Sequence, residues 1–293
     1  MADLTLAVPL IAAASVSWAA FDSLRKALLR VVPPVPLLFL ISTVSAVLFG
    51  AWAAAQGVPW GALATRAYLV PALGTVLLNL AANFAYSQAL RVSPLSVVVP
   101  LLSLTPAFAT LLAIPLLGER PGPTGFAGVA LVVAGALWLN APVRGVQGAG
   151  RGFFREPGVA LAAFTAFAWS LTLPLDKLAV RESGAPLHGA VLNAGVAAGF
   201  LIVLLARREV RAVATVRQVP GLFLLAILVS VLALGLQLLA LRLVLVAWVE
   251  TAKRGFGNFA AVLLGRAYFG EPITPRKLLA AGIMAAGVAL LFL

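Results

Sequence analysis

Residues 220–241 read PGLFLLAILVSVLALGLQLLAL, twenty-two positions without a charged side chain, ended by Arg242. At about 1.5 Å of rise per residue, a helix of this length spans the roughly 30 Å of hydrocarbon in a bilayer. Comparable runs recur on both sides until the sequence is nearly used up. They predict spans at about 4–29, 35–56, 67–90, 94–117, 123–140, 157–180, 186–206, 218–242, 245–268 and 276–293. The breaks between them hold helix-ending residues: Pro33-Pro34, Gly57-Val58-Pro59, Gly118-Glu119-Arg120-Pro121-Gly122 and the Gly-rich run from Gly145 to Gly152. Composition points the same way. Of 293 residues, 62% are hydrophobic and 10% charged, with a mean hydropathy of +1.08. A soluble domain carries about a quarter charged residues, so this chain could not cover a water-facing surface of its size. The expected fold class is an all-α membrane protein with ten transmembrane helices.

A net charge of +12 and a pI near 11.5 would suggest nucleic acid in a soluble protein. Here the basic residues sit mostly at the ends of apolar runs, where topology signals and lipid headgroup contacts belong. No basic patch with interleaved aromatics lies outside the spans, so nucleic acid is not an expected partner. Cysteine is absent, which removes disulfides and thiolate metal sites. Arg far outnumbers Lys, as in GC-rich genomes. The opening MADLTLAVPLIAAASVSWAAF lacks the basic start of a signal peptide, and its apolar run continues into Trp18 and Phe21. It reads as the first membrane helix.

The sequence repeats itself. Trp18-x7-Lys26-x3-Arg30 recurs as Trp169-x7-Lys177-x3-Arg181, 151 positions on, and Ala89-Leu90-Arg91 recurs as Ala240-Leu241-Arg242 at the same offset. Leu117-Gly118-Glu119 returns as Phe269-Gly270-Glu271, and Gly135 as Gly287, both at 152. The expected organisation is a first five-helix repeat at 1–143, a linker at 144–156 and a second five-helix repeat at 157–293. An odd number of spans per repeat inserts the second repeat inverted. Inverted repeats suit a carrier that rocks around a midplane site.

Ser93-Pro94-x5-Pro100 to Gly118-Glu119, followed by a glycine-rich helix, resembles the EamA-type drug/metabolite transporter superfamily. The echo from Val246 to Gly270-Glu271, closed by a helix through Gly282 and Gly287, resembles it again. The resemblance covers essentially the whole chain. It implies ten helices in a two-fold inverted arrangement with a central cavity between the halves, in a multi-pass protein of a bacterial inner membrane. Members that look like this carry amino acids, nucleotide sugars, phosphorylated metabolites, drugs and polyamines. Lys253-Arg254, followed by Gly255-Phe256, resembles the plastid phosphate-translocator branch, in which an adjacent Lys-Arg pair on the equivalent helix binds substrate phosphate. No match to that branch's other phosphate ligands is evident.

Glu250, Lys253 and Arg254 lie inside span nine. Charges within a membrane helix cost a few kcal/mol each and face a cavity or a partner. The spacing places all three on neighbouring faces, with Glu250 and Arg254 forming an i,i+4 pair. The first repeat has Val98, Leu101 and Leu102 at the matching positions, so the fold does not need these charges. The trio could lock its helix to a neighbour, yet one positive charge is left over, and it would attract an anion. Polar stripes occur elsewhere at helical period: Asn79, Asn83 and Tyr86; Thr165, Trp169, Thr172 and Asp176; Ser15, Trp18, Asp22 and Arg25; and Gly257 with Asn258 beyond Arg254. Such stripes suit either a water-filled cavity or hydrogen bonds between packed helices. For the two Trp residues, anchoring at the membrane interface is a rival role.

His188, the single histidine, falls at a span start and is expected at the surface. Glu119 and Glu271 are expected to cap helices or pair between loops. Gly128 to Gly135 and Gly282 to Gly287 provide small-residue spacings for close packing, or for the face of a homodimer. No serine or carboxylate set offers a nucleophile with its base, so no enzyme activity, cofactor or metal is expected. Thirteen of the 21 Lys and Arg lie in the loops of one side and five on the other. The positive-inside rule thereby puts both termini outside, whereas the family resemblance puts both in the cytoplasm.

These features together predict a secondary transporter that moves a small polar, anionic metabolite by alternating access. The expected substrate-binding residues are Lys253, Arg254, Glu250, Asn79, Asn83, Tyr86, Trp18, Trp169, Thr172 and Asn258. The expected partners are a small-molecule solute, membrane lipids and a second copy of the chain. Two alternatives are a proton-coupled exporter of cationic or amphipathic compounds using Glu250, and a flippase for a phosphate-bearing lipid.

Overall fold

The computed structural model describes residues 4–92, 101–140, 157–269 and 274–291. The predicted linker at 144–156, the first part of span four and Gly270-Glu271 lie outside the described residues. Every long element is helical: α1 (Leu4–Leu28), α2 (Pro34–Ala55), α3 (Arg66–Val92), α4 (Thr105–Leu117) and α5 (Pro123–Asn140) in the first half. The second half supplies a helical run over Pro157–Arg207, then α8 (Pro220–Leu243), α9 (Val246–Phe269) and α10 (Pro275–Leu291). Gly184, at φ 78° and ψ 160°, divides the long run into α6 (157–183) and α7 (185–207). That backbone region is essentially closed to residues with a Cβ. Ten α-helices thus stand among the described residues, five in each half. Short 3₁₀ helices at Trp60–Ala64 and Val210–Gln218 lead into α3 and α8.

Among the described residues, five stretches are long and apolar enough to cross a membrane: Leu6–Arg25, Pro34–Ala55, Arg66–Tyr86, Gly158–Arg207 and Pro220–Leu243. The fourth has 50 residues, twice what one crossing needs, and Gly184 is where it is divided. Large apolar side chains such as Val47, Val70, Leu77 and Ile202 stand exposed on these helices, as lipid-facing residues do.

Span four is not the continuous helix that hydropathy suggests. Ser103 and Leu104 form a turn, and α4 begins at Thr105-Pro106. Pro106 has no N–H to give to the Leu102 carbonyl. The Thr105 hydroxyl donates to that carbonyl instead, so the break is stitched by a side chain.

The chain forms two compact units, Met1–Leu80 with Leu175–Leu243, and Ala81–Pro174 with Val244–Leu293. Each draws on both halves of the sequence. In the first unit α1 lies along α8, and Phe21, Leu28, Leu37 and Ile41 bury against Ala226, Leu222 and Phe223. Beside them Leu192, Val196 and Phe200 of α7 pack on Val35, Phe39, Val76 and Leu80.

In the second unit α10 lies along α5, and α9 packs on α4, α5 and α10. Gly128 and Gly287 face each other so closely that a Cβ on Gly287 would sit 2.8 Å from the Gly128 carbonyl oxygen. Gly135 likewise admits Met284. Three of the four glycines singled out in the sequence are therefore packing residues. Gly282 is the exception, since a Cβ there would meet nothing within 4 Å.

Glu119 follows the left-handed Gly118 that ends α4, and its Oε2 accepts a hydrogen bond of 2.7 Å from the Val246 amide. A buried carboxylate thus caps the first turn of α9 and sets where that helix begins. Its predicted capping role is the geometry observed.

Candidate functional site

The charged trio on α9 is assembled around Glu250, whose side chain is 0% exposed. Its Oε2 is in contact with Lys253 Nζ, and its Oε1 accepts from Arg254 Nε at 3.1 Å. Two cations on one carboxylate leave an excess of one positive charge. Lys253 and Arg254 keep 21% and 25% of their side chains exposed, so the two cationic side chains are the accessible part of the cluster. Arg254 reaches beyond its own helix. Its Nη2 donates to Thr105 Oγ1 at 3.2 Å, at the break that opens α4. The Thr105 carbonyl in turn accepts from Ser170 of α6 at 3.1 Å. Span nine, interrupted span four and α6 are thereby joined through polar groups inside an apolar unit.

The same unit contains most of the other predicted residues. The rings of Tyr86 and Trp169 lie 5.4 Å apart at an interplanar angle of 53°. Thr172 donates to the Trp169 carbonyl at 2.8 Å, a bond within its own helix. Asn258, one turn beyond Arg254, directs its amide at Met284 of α10 at 3.5 Å. Asn83 is half-buried on α3. Asn79 and Trp18 belong to the other unit. Asn79 donates to the Thr75 carbonyl at 3.0 Å, and Trp18 packs edge-on against Phe21 with centroids 5.8 Å apart. On the stripe of span one, Asp22 pairs with Arg25 at 2.8 Å.

His188 corrects its expectation. It is 0% exposed, and its Nε2 lies 3.1 Å from Asp176 Oδ1. Asp176, the last member of the span-six stripe, also accepts from Thr75 at 2.6 Å. The two ionisable residues are twelve apart, on either side of the Gly184 break. Hydropathy windows place both at span ends, where surface exposure is the ordinary outcome. The clue available in the sequence was the pair itself, an acid and a histidine flanking a Ser-Gly-Ala-Pro turn.

Two consecutive five-helix blocks, an odd helix count per block, and a charged trio on one membrane helix define the molecule at this point. The EamA-like transporter family model matches it twice, over residues 5–141 and 156–293. The chain belongs to the EamA-like transporter family. The two matches contain α1–α5 and α6–α10, so the repeat seen in the sequence is the family's own unit. A solved structure titled only "Crystal structure of protein" shares the fold, with a TM-score of 0.76 at 19% identity over 98% of this chain and 96% of that one. A search of curated proteins returns no match. This EamA-like chain is therefore a multi-pass membrane protein of the drug/metabolite transporter type. Among the described residues, no group of three His, Cys, Asp or Glu side chains could hold a metal ion.

Proposed function

We propose that this EamA-like protein is a secondary carrier for a small polar anion in a bacterial inner membrane. It would work by alternating access, with Lys253 and Arg254 holding the anion's charge. The reading is carried by one observation: a membrane helix holds two cations on a single fully buried carboxylate. Charges inside a membrane helix are expensive and mark solute or ion sites. The formal charge of the trio is +1, which favours an anion. The interrupted span four adds support, because irregular backbone at membrane depth lines protein-enclosed or water-filled space. Arg254 reaches that interruption at Thr105. Tyr86, Trp169 and Asn258 would supply the apolar wall and orienting contacts in the same unit, with Asn83 on α3 as a further orienting group.

A thermal-shift screen of the purified protein against inorganic phosphate, dicarboxylates, amino acids and polyamines identifies the solute class, since a ligand at about 100 times its Kd adds roughly 2.7 kcal/mol. Anions are expected to stabilise and polyamines not. Lys253→Ala and Arg254→Ala should then abolish uptake of the stabilising anion into liposomes while the variants elute as folded protein. Unchanged uptake in both variants would remove the site assignment. Stabilisation by polyamines alone would remove the anion.

A further inference from the structure

The helices α2 and α7 stand at matching places in the two repeats and end in the same way. Gly57 follows α2 with φ 62°; its N–H donates to the Ala54 carbonyl at 3.0 Å, and the Val58 N–H donates to Ala53 at 3.1 Å. Arg208, 151 positions on, follows α7 with φ 56°. The same two bonds run from Arg208 to the Leu205 carbonyl at 3.1 Å and from Glu209 to Leu204 at 3.0 Å. A left-handed residue at this place is ordinarily glycine, because a Cβ crowds the following carbonyl. Arg208 is the one non-glycine with positive φ among the described residues. After the turn the copies diverge. The first reads Gln56-Gly57-x2-Trp60-x5-Arg66, and the second reads Arg207-Arg208-x2-Arg211-x5-Arg217. The same connection is thus built once with a single arginine and once with four, so neither the turn nor the short helix after it requires the other three.

The arginine-rich connection lies where hydrocarbon gives way to headgroups. Exposed Ile202 and Leu205 on the last turns of α7, and Leu224 and Leu225 early in α8, mark lipid-facing turns on both sides of it. A 3₁₀ helix has three residues per turn, so Val210–Gln218 sorts its side chains into rows. Val213 and Val216, continued by Val219, make a half-buried row, and Val216 and Val219 pack on the core that holds Leu28, Val32 and Leu37. Arg211, Ala214 and Arg217 make an exposed row, with Arg208 exposed one turn earlier. None of these three arginines takes part in an ion pair among the described residues. Arg30, in the turn after α1 between Leu28 and Val32, is exposed beside the same core. The first repeat's connection lies at the other end of the unit, because α2 and α7 are antiparallel. Phe49, late in α2, lies against Gly189 early in α7, and Val35 and Phe39, early in α2, pack on the cluster that runs on to Phe200. At that end exposed Trp60, a residue suited to the membrane interface, stands in the place of Arg211. We propose that Arg208, Arg211 and Arg217 form a docking surface for the headgroups of anionic phospholipids. A guanidinium matches a phosphate in a two-pronged hydrogen bond. From 207 to 218 the segment sets four arginines against one glutamate, at the depth where an anionic leaflet presents its charge.

The surface does not depend on the anion held by α9, and the two can fail separately. The test is the Tm of the purified protein in a neutral detergent, titrated with phosphatidylglycerol or phosphatidylcholine. Phosphatidylglycerol should raise the Tm more than phosphatidylcholine, and about 0.5 M NaCl should remove most of that difference. One arginine near an anionic surface is worth a factor of about five in association. The double variant Arg211→Gln with Arg217→Gln should therefore need at least about ten times more phosphatidylglycerol for the same shift. Arg217→Gln and Arg66→Gln remove the same charge at matching positions of the two repeats, and only the first should weaken the response several-fold. Arg208→Gly relieves the left-handed turn. It should be at least as stable as wild type in detergent alone and still need about five times more phosphatidylglycerol. In Lys253→Ala, phosphatidylglycerol should still stabilise while inorganic phosphate does not. Equal responses to the two lipids, or a full response in the double variant, overturns the surface. A lipid response lost in Lys253→Ala places the lipid on α9 and also overturns it. A protein that responds to phosphatidylglycerol and to no free anion keeps the surface and loses the anion site.

Discussion

Gly287 and Gly282 occupy the same helix and should answer oppositely to the same methyl group. A Cβ on Gly287 would lie 2.8 Å from the Gly128 carbonyl oxygen and 2.9 Å from both Leu131 Cβ and Val132 Cγ2. Comfortable contact begins near 3.5 Å, so α5 and α10 would have to part by roughly half an ångström or more. The obstruction includes backbone, which cannot rotate aside. Overpacking of this kind costs about 1–3 kcal/mol. Alanine returns about 0.5–1 kcal/mol through lower backbone entropy in the unfolded chain. Gly287→Ala should therefore lose about 1–2 kcal/mol net. At Gly282, where no atom lies within 4 Å, only the gain remains, and Gly282→Ala should be neutral or slightly stabilised. The assay is reversible unfolding in mixed micelles with increasing SDS, followed by tryptophan fluorescence. Gly128→Ala, whose Cβ would lie 2.6 Å from the Gly287 oxygen, should resemble Gly287→Ala. The double variant should lose less than the sum, since helices already parted accept the second methyl cheaply. Equal stability of Gly287→Ala and Gly282→Ala would refute the close α5–α10 packing.

Glu119→Gln replaces the charged cap on the Val246 amide with a neutral one. It should cost about 1–2 kcal/mol in the same assay, and Glu119→Ala about 2–3 kcal/mol, because the buried amide then has no acceptor from residue 119. If α9 is set by this cap, the alanine variant should also weaken binding of the stabilising anion; an unaltered thermal shift would argue against that link. Gly184→Ala places a Cβ on a backbone at φ 78° and ψ 160° and should cost about 1–3 kcal/mol, read again by SDS unfolding.

Much of this architecture was legible because lipid simplifies the code. A run such as 220–241 can satisfy its backbone in a bilayer only as a helix, so hydropathy alone locates α8. The repeat was legible because Trp18/Trp169 and Gly135/Gly287 keep their offset. Hydropathy failed where hydrogen bonding decides. Span four looks continuous in composition, and its break at Ser103-Leu104 follows from Pro106 lacking a donor while Thr105 offers one. The expected site was legible in part for the same reason. Glu250 and Arg254 are one helical turn apart, and a local rule pairs them. Thr105, 149 positions away, could not be found by any local rule. His188 was misplaced because a histidine at a span end is judged by its neighbours in sequence, whereas its partner lies across the Gly184 break.

The two buried polar clusters share a construction. In each, the ionisable residues come from the second half: Asp176 and His188 in one, Glu250, Lys253 and Arg254 in the other. The first half contributes a threonine hydroxyl, Thr75 or Thr105. At the repeat offset, Asp176 and His188 fall on Arg25 and Leu37, and the α9 trio falls on Val98, Leu101 and Leu102. The repeat therefore accounts for the helices and their glycine-lined contacts but not for these two clusters, in which a neutral hydroxyl of the first half meets charged side chains of the second. A threonine can be buried in lipid at little cost and still accept or donate when a charged partner appears. Replacing Thr105 with valine should leave the helices assembled while weakening binding of the stabilising anion, and replacing Thr75 with valine should leave that binding intact. Loss of folding in both valine variants would mean instead that the hydroxyls hold the fold.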